Sequence, residues 1–422
     1  MATSISAVRG RRVWDSRGRP TVEAEVRLAG GALGRALAPA GASTGSGEAL
    51  DRRDGGSALG GYDVRQAVAA INDEIAPAIM GLDAEAQREV DERLIALDGT
   101  ADKSRLGGNA TIAVSMAVAH AAAAAAGQPL WRHLLQGQRP ALPLPEIQIF
   151  GGGAHAGRRV DIQDFMVVCP GATSFAEALD WTAEVYLAAG RLMAEAGKLK
   201  GVADEGGYWP DFATNEEALE MLLRAIERAG LSPGDQVAIA LDVAASEFGK
   251  RGRYRLGLEG RELDSAGMTL LLLGWLERYP IVSVEDPLAE DDLEGFAAFA
   301  RAAGERVQIV ADDLTVTDAG RVRAVAARGA ANTLLVKPNQ RGTLTETKAA
   351  WDAARAAGWR GIVSARSGET EDVAIVHLAV GWDVGQLKVG SFARSERMAK
   401  WNEGLRIEEA LGAEARLARP FP

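Results

Sequence analysis

A parallel β/α barrel preceded by a smaller α+β domain is the fold class this sequence predicts, on three observations. Four short apolar runs in the second half each lead into a charged residue. They are 237–241 before Asp242, 281–284 before Glu285, 307–311 before Asp312 and 333–336 before Lys337. Runs this short, bounded by turn residues and followed by helix-length segments, read as buried parallel strands. The spacing between the charged ends is roughly one βα unit, and parallel barrels carry their active sites at the C-terminal ends of their strands. Finally, 422 residues are enough for a large barrel and a second domain.

From the N-terminus, Ser4 to Leu37 alternate as antiparallel strands, with Asp15 to Pro20 as a turn. A flexible loop, Pro39 to Glu48, follows, and Asp63 to Leu135 carries a helical pattern. Within it, Ala113 to Ala126 is alanine-dominated and contains His120. Alanine favours helix but is too weakly apolar for a membrane span, so a core helix is expected. Pro140, Pro143 and Pro145 read as a linker and set a boundary near residue 138, dividing the chain into 1–138 and 139–422. Beyond it strands and helices alternate. Two further strand-like pieces precede Arg366 and Lys388, and 406–412 reads as a terminal helix.

Composition narrows the class. Lys and Arg number 47 against 58 Asp and Glu, a net charge of -11, which argues against a nucleic-acid or anionic-membrane surface. The single cysteine, Cys169, excludes an intrachain disulfide framework and suits a reducing compartment; it ends an apolar strand-like run, so buried packing is expected of it. No secretory pattern opens the chain, and a cytoplasmic location is expected. Three hard oxygen donors at successive strand ends, Asp242, Glu285 and Asp312, suit magnesium, and Lys337 on the next strand is a candidate base.

With these residues in view, the chain resembles the enolase family along essentially its full length. The matching strings include Asp15-Ser-Arg-Gly, Gly41-Ala-Ser-Thr-Gly45, Gly152-Gly-Ala-His-Ala156, Asp204-Glu-Gly-Gly207, Glu285-Asp-Pro287, Asp312-Asp-Leu314, the run Arg366 to Asp372, and Arg394-Ser-Glu-Arg397. The resemblance implies an enolase-type (TIM-like) barrel, whose first strands depart from simple βα order, under an N-terminal α+β capping domain. It implies one to two Mg²⁺ per site, the first held by Asp242, Glu285 and Asp312, the second ligated by Ser43 on the mobile loop. Lys337 is then the base at carbon 2, its neutral form favoured by metal and by Lys388. Lys388 neutralises the substrate carboxylate, Glu205 helps the carbon-3 hydroxyl leave, and His155 faces the substrate. Arg366 and Ser367 grip the phosphate. A homodimer or an assembly of dimers is also implied, with Glu23 and Arg406 at the positions that pair between subunits.

Several positions depart from the family pattern. Ala365 stands where a histidine is usual, and Asp164 replaces a glutamate that partners the Glu205 position. Arg158, Arg159 and Arg341 are added basic residues, and Tyr208-Trp209 replaces Phe-Ala. The metal ligands and both lysines are kept, so the altered part is the surroundings of carbon 3. Added arginines at the mouth suit an extra negative group on a small phospho- or phosphono-carboxylate substrate, with Arg158 and Arg341 as contacts. This pattern suggests the branch of carboxyphosphonoenolpyruvate synthases in phosphinothricin-type antibiotic biosynthesis. The alternatives are ordinary interconversion of 2-phosphoglycerate and phosphoenolpyruvate, or a non-catalytic binding protein, against which the complete lysine and carboxylate set argues.

Overall fold

The computed structural model describes residues 1–135, 137 and 139–421; the boundary residue Gln138 lies outside them. Three antiparallel strands, β1 (Ile5–Trp14), β2 (Pro20–Leu28) and β3 (Leu33–Leu37), form a meander. The turn between the first two is built by Asp15, whose Oδ1 accepts from the Arg17 and Arg19 amides at 2.9 Å each. Helix Gly108–Ala125 lies against β2 and β3, and its small side chains let the backbones nearly touch. A Cβ on Gly34 would sit 2.0 Å from the Ala117 carbonyl oxygen and 2.3 Å from the Ala121 nitrogen. By length and composition this helix would reach across a bilayer, but 83% of its apolar window is buried inside the protein. It is a core helix, as its alanine content predicts.

The second part is a closed eight-stranded barrel. Its strands are β4 (Leu144–Gly151), β5 (Asp164–Val168) and β6 (Ala238–Asp242), then, after a side sheet of β7 (Gly249–Lys250), β8 (Arg253–Leu256) and β9 (Arg261–Asp264), the strands β10 (Ile281–Glu285), β11 (Gln308–Ala311), β12 (Thr333–Val336), β13 (Arg360–Ser364) and β14 (Gln386–Ser391). The order around the barrel is β10-β11-β12-β13-β14-β4-β5-β6. All neighbours are parallel except β5, which runs antiparallel to both β4 and β6. The barrel therefore opens with a hairpin rather than a βα unit. Outer helices start on side-chain caps: Ser174, Thr214, Asp264, Asp292, Asp318 and Thr343 each accept from a backbone amide three residues on. Val310, Leu335 and Ile362 fill part of the barrel interior.

Three features differ from the sequence reading. The side sheet β7–β9 was not anticipated, because its strands are only two to four residues long and rich in charge, without a continuous apolar run. Lys388 lies inside β14 rather than after it, since the strand continues to Ser391. The expected terminal helix is the end of a longer one, Ser395–Leu411. Cys169 is buried as expected, its thiol pushed up to about 12 by burial.

Candidate active site

The charged strand ends converge at one mouth of the barrel. Asp242, Glu285 and Lys388 come from β6, β10 and β14, while Asp312 and Lys337 directly follow β11 and β12. Asp164 joins them from the first position of β5, because a reversed strand brings its beginning to the mouth; it stands in register with Asp242. Lys388 Nζ lies 2.8 Å from Asp242 Oδ2, 2.8 Å from Glu285 Oε2 and 3.5 Å from Asp164 Oδ2. Lys337 Nζ lies 2.5 Å from Asp312 Oδ2. Two glutamines complete the ring: Gln340 Nε2 donates to Asp312 Oδ1 at 3.0 Å and Gln163 Nε2 to Asp242 Oδ2 at 3.0 Å. Burial and then Asp242 push the Glu285 carboxyl well above its usual range. Burial works the same way on Asp242, but Lys388 and Lys337 together more than offset it and hold that carboxyl low.

Across the mouth a second group forms. His155, in the turn after β4, has Nε2 3.8 Å from both Asp164 Oδ1 and Glu205 Oε1. Gln148 accepts from the Gly207 amide at 2.9 Å and donates to Asp164, so it ties the Glu205 loop to β5. Gly390, at φ +110°, lets Glu205 approach; a Cβ there would lie 3.0 Å from Glu205 Cβ. The two carboxyls differ. Burial raises Asp164 to about 6, with His155 and Lys388 opposing. Burial also acts on Glu205, but His155, Arg397 and Lys388 bring it below its ordinary value.

The third part is an anion grip already holding an anion. Fully buried Arg397 donates to the carbonyls of Arg366 (2.7 Å), Val389 (2.9 Å) and Ser367 (2.5 Å), fixing the backbone that carries Arg366 and Ser367. Arg366 in turn donates to Glu48 Oε2 at 3.0 Å, to Asn339 Oδ1 at 3.0 Å and to the Ser43 carbonyl at 2.9 Å. Glu48 closes the loop 39–48, which is laid against the barrel. Ala40 and Gly368 exchange backbone hydrogen bonds at 2.9 Å, and the Ala49 amide donates to the Gln340 carbonyl at 2.7 Å. Beneath this loop a cavity of about 20 Å³ remains. That is room for about one water. Ser43, His155, Asp164, Glu205, Asp242, Lys337, Ala365, Arg366, Ser367 and Lys388 line it.

Residues 5–134 match the family described as "Enolase, N-terminal domain", and residues 139–419 match "Enolase, C-terminal TIM barrel domain". The chain belongs to the enolase family. An enolase-family mouth implies a divalent cation, and the donors here fit one. They are buried hard oxygens, and Glu285 Oε1 has no hydrogen-bond partner. Among the described residues, two sets of ligating atoms lie within 4.8 Å of one another: His155, Asp164 and Glu205, and Asp286, Asp312 and Asp313. In the second, Asp286 is already committed, accepting from the amides of Asp312 (3.0 Å) and Asp313 (2.8 Å), so it shapes the turn that presents Asp312. The expected enolase triad Asp242, Glu285 and Asp312 is not such a set. Lys388 bridges two of its members and Lys337 holds the third.

The other expected residues divide as follows. Nine line one cavity: Lys337, Lys388, Glu205, His155, Asp164, Arg366, Ser367, Ser43 and Asp242. Arg158 and Arg341, expected at the substrate, are placed elsewhere by their own ion pairs. Arg158 meets Glu247 at 2.8 Å with its side chain 69% exposed, and Arg341 meets Asp318 at 3.3 Å and Glu346 at 3.5 Å. Nor is Lys337 neutral in this arrangement. Burial pulls the ammonium down, but Asp312 beside it, with Glu285, more than offsets that and the net shift is upward. Sequence reasoning assigned no role to Glu48, Gln148, Gln163, Gln340 or Arg397. Arg397 belongs to one of the family-like strings, whereas Gln148, inside β4, carries no signal of its own.

Proposed function

We propose that this enolase-family chain is a magnesium-dependent lyase of the cytoplasm that converts 2-phosphoglycerate, a small phosphorylated three-carbon acid, to phosphoenolpyruvate and water. The observation that carries the reading is that Lys337 and Glu205 line one small cavity from different sides, with Lys388 and the Arg366–Ser367 grip between them. The Lys337 amine takes the carbon-2 proton, and the electron pair moves into the carboxylate. Lys388 neutralises that carboxylate while Arg366 and Ser367 hold the phosphate. The carbon-3 C–O bond then breaks with its electron pair on oxygen, which takes a proton from the Glu205 side and leaves as water. His155, equidistant from Asp164 and Glu205, makes that proton a property of the cluster rather than of one carboxyl. Asp242, Glu285 and Asp312 would hold magnesium, which would supply positive charge for the enolate oxygens; with Asp312 committed to the ion, burial would favour the neutral Lys337 amine.

The test is phosphoenolpyruvate formation from 2-phosphoglycerate with Mg²⁺, with Lys337→Ala as control. Fast turnover lost in the control supports the reading; folded, metal-loaded protein without turnover sinks it. A second reading, a carboxyphosphonoenolpyruvate synthase-like paralogue, is favoured by one observation: Ala365 lines the cavity between Ser364 and Arg366 and offers it only a methyl group. The arginines that first suggested it are paired with Glu247, Asp318 and Glu346. Its test is product formation from an activated phosphonoformate donor and a three-carbon phosphate. Homodimerisation through Glu23 and Arg406 is part of the same proposal. Arg406 is 65% exposed on its side chain, while Glu23 is already paired with Arg11. A monomer in sedimentation at micromolar concentration would exclude the dimer.

A further inference from the structure

Below the charged mouth, where packed barrels are filled with branched apolar side chains, Val310, Leu335 and Ile362 share the barrel interior with a polar set. Glu146 on β4, Gln386 on β14, Gln308 on β11 and Ser283 on β10 are all buried there. Gln308 Nε2 donates to Gln386 Oε1 at 2.6 Å, and Gln386 Nε2 donates to Glu146 Oε2 at 3.2 Å. Glu146 Oε1 has no partner, nor have Gln308 Oε1 and Ser283 Oγ. Glu146 stands in register with Lys388 on the neighbouring strand. An ionised carboxylate with a single donor is costly in such a place, so the proton-bearing form is favoured. The charged groups facing it are Lys388 from β14, Asp242 from β6 and Asp164 from β5. Burial and the two aspartates outweigh Lys388 and raise Glu146 to about 7.

Lys388 is the hinge of this arrangement. Its ammonium is now shared by Asp242 and Glu285. We infer that Glu146 is a charge-compensating positioning residue, which keeps a proton while those two carboxylates serve Lys388 and releases it when they turn to a divalent cation. The incoming positive charge lowers the cost of a carboxylate below, and Lys388, stripped of two partners, gains one there. The O–H bond of Glu146 breaks, its electron pair stays on the carboxylate, and the proton passes to bulk buffer. Lys388 thereby stays cationic and in place for a substrate carboxylate. The inference rests on the magnesium reading above.

The experiment is calorimetric titration of Mg²⁺ into substrate-free protein at neutral pH, in two buffers of different ionisation enthalpy, which counts the protons released per ion bound. Wild type should release more protons than Glu146→Gln, and Glu146→Asp, which keeps an ionisable carboxyl, should restore the release. Equal counts in wild type and Glu146→Gln overturn the role of Glu146 while leaving magnesium binding intact. No binding heat in wild type in either buffer removes the magnesium reading itself. Should Glu146→Gln fail to fold, the infrared difference spectrum of wild type with ¹³C-labelled glutamate decides. Loss of a protonated glutamate carboxyl band on adding Mg²⁺, retained in a Glu285→Asp background that keeps a carboxylate at the metal position, supports the inference, and no such loss overturns it.

Discussion

Single side chains at this mouth are governed by what each is forced to share. Glu146 has a folded-state pKa of about 7 against an ordinary 4.5, so folding binds its proton more tightly than the unfolded chain does. Its stabilising contribution is therefore full below about 4.5 and is lost as pH rises through about 7. Replacing it by glutamine removes that loss. The Glu146→Gln variant should melt at a higher temperature than wild type above neutral pH, by the equivalent of up to about 3 kcal/mol. The gap should close on acidification, as paired thermal melts will show. Arg397 is the opposite case, a buried cation that donates to three backbone carbonyls. Arg397→Ala should cost about 3 kcal/mol in urea denaturation and weaken phosphate binding, since the Arg366–Ser367 backbone loses its brace. The mouth lysines and strand-end carboxylates were legible in the sequence because a charge after an apolar run is conspicuous. Glu146 was not, because a lone acidic residue after Pro145 reads as linker.

Among elements, the reversed strand β5 decides what could be foreseen. A strand-end rule finds Asp242, Glu285 and Asp312, but it looks at the wrong end of an antiparallel strand. Asp164 came only through resemblance, at the position where β5 begins. Strand β4 was hidden for a different reason: Pro143 and Pro145 suggested a linker, although Pro145 lies within the strand beside β14. The alanine-rich helix Gly108–Ala125 was legible as a core helix, and the structure supplies the reason for its composition. Larger side chains would hold β3 away, and Gly34 leaves no space for even a methyl group. Gly34→Ala should therefore destabilise the protein by about 1–3 kcal/mol through overpacking, measured by chemical denaturation. The N-terminal helix Gln87–Asp98 is fastened to the barrel by Asp91, which accepts from the Thr345 amide at 2.9 Å and hydroxyl at 2.6 Å and from Ser115 Oγ at 2.6 Å. Asp91→Ala strands these donors in the interior. A loss of about 3 kcal/mol is expected, with thermal melting as the measure.

At the scale of the whole molecule, the small domain and the barrel jointly build the mouth. Arg17, from the first turn of the small domain, donates to the Ala40 carbonyl at 2.9 Å, and the Ser16 amide donates to the Glu369 carbonyl at 2.7 Å. The loop 39–48 is thus anchored at one end by its own domain and held at the other through Glu48 by the barrel. Glu48→Ala should leave the loop without its Arg366 and Gln340 contacts and make the chain more readily cut there in limited proteolysis. The two-domain division was legible from the prolines and the change of pattern; how tightly the loop seals the barrel was not, because that depends on contacts hundreds of residues apart. A cavity with room for about one water cannot admit a three-carbon phosphate, so ligand entry requires the loop to lift. Glu48 is in effect a tethered competitor, held near Arg366 at the millimolar effective concentration typical of short linkages. Any free anion measured against this site reports an affinity already divided by that self-occupancy. A comparison of phosphate analogues ranks their ability to evict Glu48, and only in Glu48→Ala does it read the grip of Arg366 itself.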